Sequence, residues 1–182
     1  KQPIEIGIIK LKDFPEEKIL VGLKEEFKKE ILKNIKRKNS KEIGIKPSQF
    51  YNFKDNEKIT IKLLFKICNY LTKRGLKEFS YKYIEKNIEA IGTKRGEIYI
   101  KNPNLPFNFN NEEGAYFISA ILFDGGIDKQ HKPHYGNVVL QQRERIEKCA
   151  KKLFGEIESR EVNSKRGPMI RFPKSIGVIL NH

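Results

Sequence analysis

Residues 114–128 read GAYFISAILFDGGID. The pattern predicts a largely apolar helix that stops at Asp124, because Gly125 and Gly126 supply the backbone freedom that a helix C-cap uses. A carboxylate at that end opposes the helix macrodipole, which already places partial negative charge there. Beside unsatisfied backbone carbonyls it makes a cluster of oxygen ligands suited to a hard divalent cation, Mg2+ or a similar ion, with Asp124 and Gly125 as candidate ligands. One acid with two backbone carbonyls leaves the octahedral shell of Mg2+ incomplete, so phosphate oxygens, waters and a partner acid must complete it. Such a site performs metal-assisted hydrolysis, in which a water is activated and the leaving oxygen is steadied. The competing reading is a surface aspartate in a turn.

The other residues able to do chemistry are fewer. Cys68 and Cys149 fall on apolar faces of helical patterns, far apart in the chain, and read as core thiols. His131 and His134, with Lys132 and Pro133 between them, lack a nearby third ligand and read as a polar loop rather than a zinc site.

The charge balance names a partner. Lys and Arg number 37 against 23 acids, a net charge of +14, which points to a polyanion. The cations are dispersed among globular segments, and this favours a folded nucleic-acid binder over a disordered tail. No basic amphipathic helix with exposed aromatics argues for a membrane surface, and no long apolar run spans a bilayer. Part of the Ile and Lys bias also fits an AT-rich genome or a heat-loving host. The start, Lys1 to Leu11, is a short alternating stretch without methionine; it reads as an excerpt with no signal peptide. With core thiols, that sets the expected place as the cytoplasm of a prokaryotic-type cell.

Residues 4–11 read as a strand, Pro15 with Glu16 and Glu17 as the opening of a helix through Leu23, and Lys24 to Lys38 as a second helix with Phe27, Ile31, Leu32 and Ile35 on one face. Thr60 can cap a helix from Ile61 to Lys73 that buries Ile61, Leu64, Phe65, Cys68 and Leu71. Between these lies a short helix, a glycine turn and a second short helix. Residues 24–73 resemble a helix-turn-helix DNA-binding domain. The resemblance makes Ser40 to Ile43 the supporting helix, Gly44 the turn and Pro47 to Lys54 the recognition helix, with Lys46, Ser48, Gln49 and Asn52 facing the groove. Gln and Asn can read adenine edges, and Lys46 and Lys54 can meet phosphate. A plain helical core is the alternative.

Tyr83 to Ile100 reads as a hairpin whose tip, Gly92 to Gly96, is basic. Asn102 to Phe109, with two prolines, reads as an extended linker dividing an N-terminal domain, 1–101, from a C-terminal one, 104–182. Asn110 or Asn111 caps the Asp124 helix, with Glu112 and Glu113 at its favourable positive end. A strand pair follows, joined by the basic loop 129–134, its second strand running from Tyr135 to Gln142. In that strand Asn137, Val139 and Gln141 share one face, the DNA side, and Val138 and Leu140 the other. Then come a helix over Arg143 to Phe154, strands at Glu156 to Val162 and Pro168 to Phe172, and a last helix from Ser175. The expected class is α+β: a small helical domain, then an αββαββα unit.

That unit looks like one LAGLIDADG homing-endonuclease unit. The likeness rests on Phe117 to Gly125 with Asp124 in the acidic position, on the approach Leu105-Pro106 through Glu113, and on Phe154-Gly155 through Phe172 to Gly177; it covers about residues 104–182. It implies that the motif helix packs against its copy in a second unit, so that the two terminal acids hold Mg2+ at the scissile phosphates of duplex DNA. One unit per chain then implies a homodimer on a near-palindromic site. The interface would hold Tyr116, Phe117, Ser119, Ala120 and Phe123, and Gln142 would order the active-site water beside Asp124. Phosphate contacts would come from Lys129, Lys132, Arg143, Arg160, Lys165, Arg166 and Arg171, with Asn137 and Gln141 on the strand face toward the DNA. The family usually has a small residue where this chain has Phe123, and a ring there forces the helices apart. The alternative is therefore a DNA-binding regulator on the same scaffold that does not cut. A third reading, an endonuclease segment from an intein, lacks splicing chemistry here: Lys1 is no nucleophile, and Asn181-His182 reverses the needed order.

Overall fold

The computed structural model describes residues 7–94, 99–164 and 167–182, and the chain is a mixed α+β protein with antiparallel sheets. In chain order the first half holds β1 (Ile8–Ile9), β2 (Ile19–Leu23), α1 (Glu25–Asn34), α2 (Ser40–Ile43), α3 (Pro47–Asp55), β3 (Lys58–Thr60), α4 (Ile61–Lys73), α5 (Tyr81–Lys86), β4 (Ile88–Thr93) and β5 (Ile100–Lys101). The second half holds β6 (Phe107–Asn108), α6 (Glu112–Phe123), β7 (Gly125–Ile127), β8 (Pro133–Gly136), α7 (Leu140–Phe154), β9 (Arg160–Ser164), β10 (Gly167–Arg171) and α8 (Lys174–Leu180). Among the described residues no helix is long and apolar enough to cross a membrane.

Several helix ends of the first half follow their local signals. The Thr60 hydroxyl oxygen accepts the Leu63 N–H at 3.3 Å and starts α4, which buries Ile61, Leu64, Phe65, Cys68 and Leu71. Gly44 sits between α2 and α3 at φ +73°, in the left-handed region that glycine enters without strain. Pro47 takes the first turn of α3, and Phe50 and Phe53 turn inward. Burial pushes the Cys68 thiol up to about 12, as for a core residue; Cys149 is half-buried, and burial raises it too.

Three readings of this half are corrected. Residues 15–23 are not a helix: Ile19, Val21 and Leu23 are buried on β2, one of the two inner strands of a sheet ordered β3-β2-β4-β5. Pairing to both neighbours outweighs the helix-start signal of Pro15-Glu16-Glu17. The helix expected through Lys38 ends at Asn34, where Ile35 becomes extended and a 3-10 turn at Arg37–Asn39 follows. Residues 83–91 are not one strand; α5 ends at Lys86, and β4 then pairs with β5 through Ile91 opposite Ile100. Of the hairpin tip, Arg95 and Gly96 lie outside the described residues.

The expected linker is held from both sides. Phe107, fully buried, stacks on Phe14 with ring centroids 5.7 Å apart and meets Phe154 edge-on at 5.0 Å. Its strand β6 pairs with β1, and α8 packs on β4.

The second half has the expected order, helix, two strands, helix, two strands, helix, with its sheet ordered β7-β8-β10-β9. The Asn111 side chain accepts the Gly114 N–H at 2.8 Å, and Glu112 and Glu113 fill the first turn of α6. Glu113 also meets Lys152 of α7 at 2.6 Å, a hydrogen bond that holds its carboxyl below the usual range. One boundary is corrected: the strand expected to reach Gln142 ends at Gly136, and α7 begins at Leu140. Asn137 makes the switch, since its side-chain oxygen Oδ1 accepts the Val139 N–H at 2.9 Å and turns the chain out of the sheet.

Candidate functional site

Asp124 closes α6: its N–H donates to the Ala120 carbonyl at 3.1 Å, and its own carbonyl accepts the Gly136 N–H at 3.2 Å. Its side chain is exposed and makes no hydrogen bond or ion pair among the described residues. The two glycines after it serve a close approach rather than a left-handed turn. A Cβ on Gly125 would lie 2.2 Å from the His134 carbonyl oxygen, and one on Gly126 would lie 3.2 Å from the His134 ring. Their bareness lets β7 lie flat on β8 and so fixes Asp124 at the sheet edge.

Asp124 lines two cavities. One of about 460 Å³ also touches His134, Asn137, Val138 and Ser164. The other, also about 460 Å³, runs between Tyr116, Ser119, Phe123 and Gln142. Asp124 and Gln142 thus line the same cavity. The Gln142 carbonyl oxygen is already accepting the Tyr116 hydroxyl at 2.9 Å, and the Tyr116 ring lies under the Arg145 guanidinium at 4.2 Å. Burial is the main reason the Tyr116 hydroxyl is raised above its ordinary pKa.

Among the described residues no group of three or more His, Cys, Asp or Glu could hold a metal. With its main-chain carbonyl taken by Gly136, Asp124 offers its carboxylate alone, next to the edge strand that starts at Gly125. That donor set fits a hard cation only where phosphate oxygens, waters and an acid from a second chain complete the shell.

The sheet has one open face. Pro133 and Tyr135 of β8 are buried, so His134 and Gly136 point to the other side. The register sets Arg171 opposite His134 and Arg160 opposite Arg171, a basic row across three strands. His134 belongs to this row and to the Asp124 cavity, which reading 129–134 as a loop concealed; the alternation Pro133-His134-Tyr135 was the signal for it. Lys129 is exposed and Lys132 half-buried on the turn between β7 and β8. Asp128 fastens that turn by accepting the N–H groups of Gln130 and Lys132 at 2.8 and 2.9 Å. Burial works to raise the Asp128 pKa, but those N–H groups, with the charges of Lys132 and Arg171, outweigh it and hold the carboxyl below its usual value. Lys165 and Arg166 lie outside the described residues.

Several expected contacts go elsewhere. Arg143 is buried: its guanidinium donates to the carbonyls of Asn137, at 2.5 Å, and Val138, at 3.2 Å, and its Nε meets Glu161 at 3.3 Å. It ties the turn before α7 to β9 and has no reach to a phosphate. Replacing Arg143 by Ala is therefore expected to lower stability by about 1–3 kcal/mol. Urea unfolding checks this, and a phosphate-contacting arginine would instead leave the midpoint unmoved. Asn137 is spent on Val139 and on the Tyr135 hydroxyl, to which its amide donates at 3.0 Å. Gln141 is exposed, on the first turn of α7 rather than on a strand face shared with Val139. Phe117 is wholly buried and Ala120 nearly so, which removes both from an outward interface; Tyr116 is half-buried, while Ser119 and Phe123 are exposed.

On α3, Ser48 and Asn52 are exposed at helical spacing, and Lys46 precedes them at the N-cap. Gln49 is half-buried, and its carbonyl oxygen accepts the Lys46 N–H at 2.9 Å, so it caps the helix. Tyr51, unmarked by the sequence, is exposed beside Asn52, with the Arg37 guanidinium 5.8 Å from its ring centroid.

Comparison with known protein families, curated proteins and solved structures gives no match.

Proposed function

We propose that this chain is a sequence-specific double-stranded DNA endonuclease of the LAGLIDADG homing-endonuclease type, acting as a homodimer with Mg2+. The observation that carries the reading is Asp124: an exposed carboxylate at the negative end of its helix, on the rim of two cavities and beside a sheet face crossed by Arg171 and Arg160. A carboxylate held at a helix C-terminus is electrostatically unfavourable unless a cation compensates it.

In the proposed reaction a water oxygen bonds to phosphorus, the phosphorus–ester bond opposite it breaks, and a proton neutralises the leaving oxygen. A bound Mg2+ would supply charge neutralisation and a more acidic water. Asp124 of each chain would hold that ion. The Gln142 amide nitrogen, set by Tyr116 on the carbonyl oxygen, orients the attacking water. Arg160, Arg171 and Lys129 bind backbone phosphates, and Ser48 and Asn52 read bases. A second copy would meet the exposed stripe Ala115, Ser119, Leu122 and Phe123 on α6.

Incubation with a plasmid library, in Mg2+ and in chelator, tests the reading. Discrete cuts that need the metal support it. A second reading, a regulator that binds without cutting, draws on Phe123, whose 84% exposed ring stands where two helices must come close. Retarded DNA with no cuts in either condition would favour it over the nuclease.

A further inference from the structure

The last turn of α1, the 3-10 turn after it, and the end of α4 enclose a cleft of about 400 Å³ remote from Asp124 in sequence. Lys33, Lys36, Lys38 and Arg74 line it, with Glu42 as its one acid. Part of this charge has a structural use. α1 ends at Asn34 and α4 at Lys73, and each helix C-terminus carries about half a negative charge. Together with Glu42 they offset about two of the four cations, which leaves a surplus of about two.

The acid is also turned aside. Glu42 accepts the Tyr70 hydroxyl at 2.9 Å, and Tyr70 in turn accepts from Arg74 at 2.7 Å, so the carboxylate and one guanidinium are joined through a phenol. Lys33, Lys36 and Lys38 form no ion pair among the described residues, although α1 pairs Lys29 with Glu25 one turn earlier. The wall is stiff: Lys36 N–H donates to the Asn39 side chain at 2.8 Å, and the Ser40 hydroxyl donates to the Arg37 carbonyl at 2.7 Å. The same turn sends Arg37 across to Tyr51 of α3.

We infer that this cleft is a binding site for a backbone phosphate of the DNA that lies along α3. The inference rests on the reading of α3 as a DNA-reading helix. A tetrahedral oxyanion suits a cleft lined by one guanidinium and three lysines, and it matches the surplus charge. Such a contact carries no base information. It fixes how far the duplex can slide or rotate over Ser48 and Asn52.

The full chain carrying Lys33→Gln and Lys38→Gln is compared with the native chain and with a Lys12→Gln, Lys18→Gln control that removes the same charge outside the cleft. Duplex affinity is measured across a salt series, on a random and on a selected sequence. The cleft variant is expected to bind on the order of threefold to tenfold more weakly on both sequences, with a logarithmic salt slope smaller by about 1 and its sequence preference kept. The control is expected to keep the native slope. An unaltered slope in the cleft variant, or an equal loss in the control, overturns this inference alone. A native chain that holds no duplex overturns the DNA reading of α3 and the cleft with it.

Discussion

Replacing Asp124 by Asn is expected to abolish DNA cleavage while the protein becomes slightly more stable and binds duplex at least as well. The three effects come from one charge. The carboxylate is a hard ligand, and an amide oxygen is a much weaker one for a hard dication. A metal's stabilisation of the transition state is worth several kcal/mol, so the rate should fall by roughly a thousandfold or more. The same charge stands at the C-terminal end of α6, where the helix dipole opposes it. Neutralising it should raise unfolding stability by about 0.3–1 kcal/mol. It also stands near the basic row of Arg171 and Arg160, proposed to meet phosphates, so its loss removes a repulsion there, and binding in chelator should hold or tighten. Cleavage assays, urea unfolding and affinity in chelator check the three parts. Cutting that persists in the Asn variant removes Asp124 from the chemistry. A loss of stability would mean that the carboxylate serves a structural bond and is not held there for function.

What the sequence disclosed was mostly local. Thr60, Gly44, Pro47 and Asn111 act within a few residues of themselves, and the helix ends they mark were readable one residue at a time. The order of elements after Asn111 was readable for the same reason. Features that depend on distant partners were not. The Ile-Leu-Val-Gly-Leu run of β2 is short and apolar, a pattern that suits a helix or a strand equally until β3 and β4 pair with it. Arg143 looked like a surface cation because the residues that bury it are two carbonyls in the preceding turn and Glu161 on another strand. The inward face of α6 was hidden by composition. From Tyr116 to Phe123 every residue except Ser119 is apolar or aromatic, so no polar stripe marks the outside. The cleft cations were visible as the run Lys33 to Lys38, but Arg74 joins them only through the packing of α4 on α2.

That hidden face makes Phe117 the sharper of two tests on α6. Its ring meets Phe172 at 5.3 Å and Phe154 at 5.2 Å; Phe154 meets Phe107 at 5.0 Å, and Phe107 stacks on Phe14 at 5.7 Å. Five buried rings thus run from α8's approach, through α6 and α7, to the loop before β2. Replacing Phe117 by Ala removes a ring with no exposed edge from inside this train, between Phe172 and Phe154. The cavity left cannot collapse easily, because Phe154 is itself held by Phe107 and Phe109 on its other sides and Phe172 is buried. A loss of about 3–5 kcal/mol is expected, a large share of the stability of a domain this size. Denaturant unfolding at low protein concentration reads it as a lower midpoint. Phe123→Ala on the opposite side should move that midpoint by no more than about 0.5 kcal/mol, since its ring lies in solvent. The two residues are six apart on one helix, and the sequence reading placed both at a dimer contact. A Phe117 variant that unfolds at the native midpoint while losing only self-association would restore that assignment and reverse the inside and outside of α6.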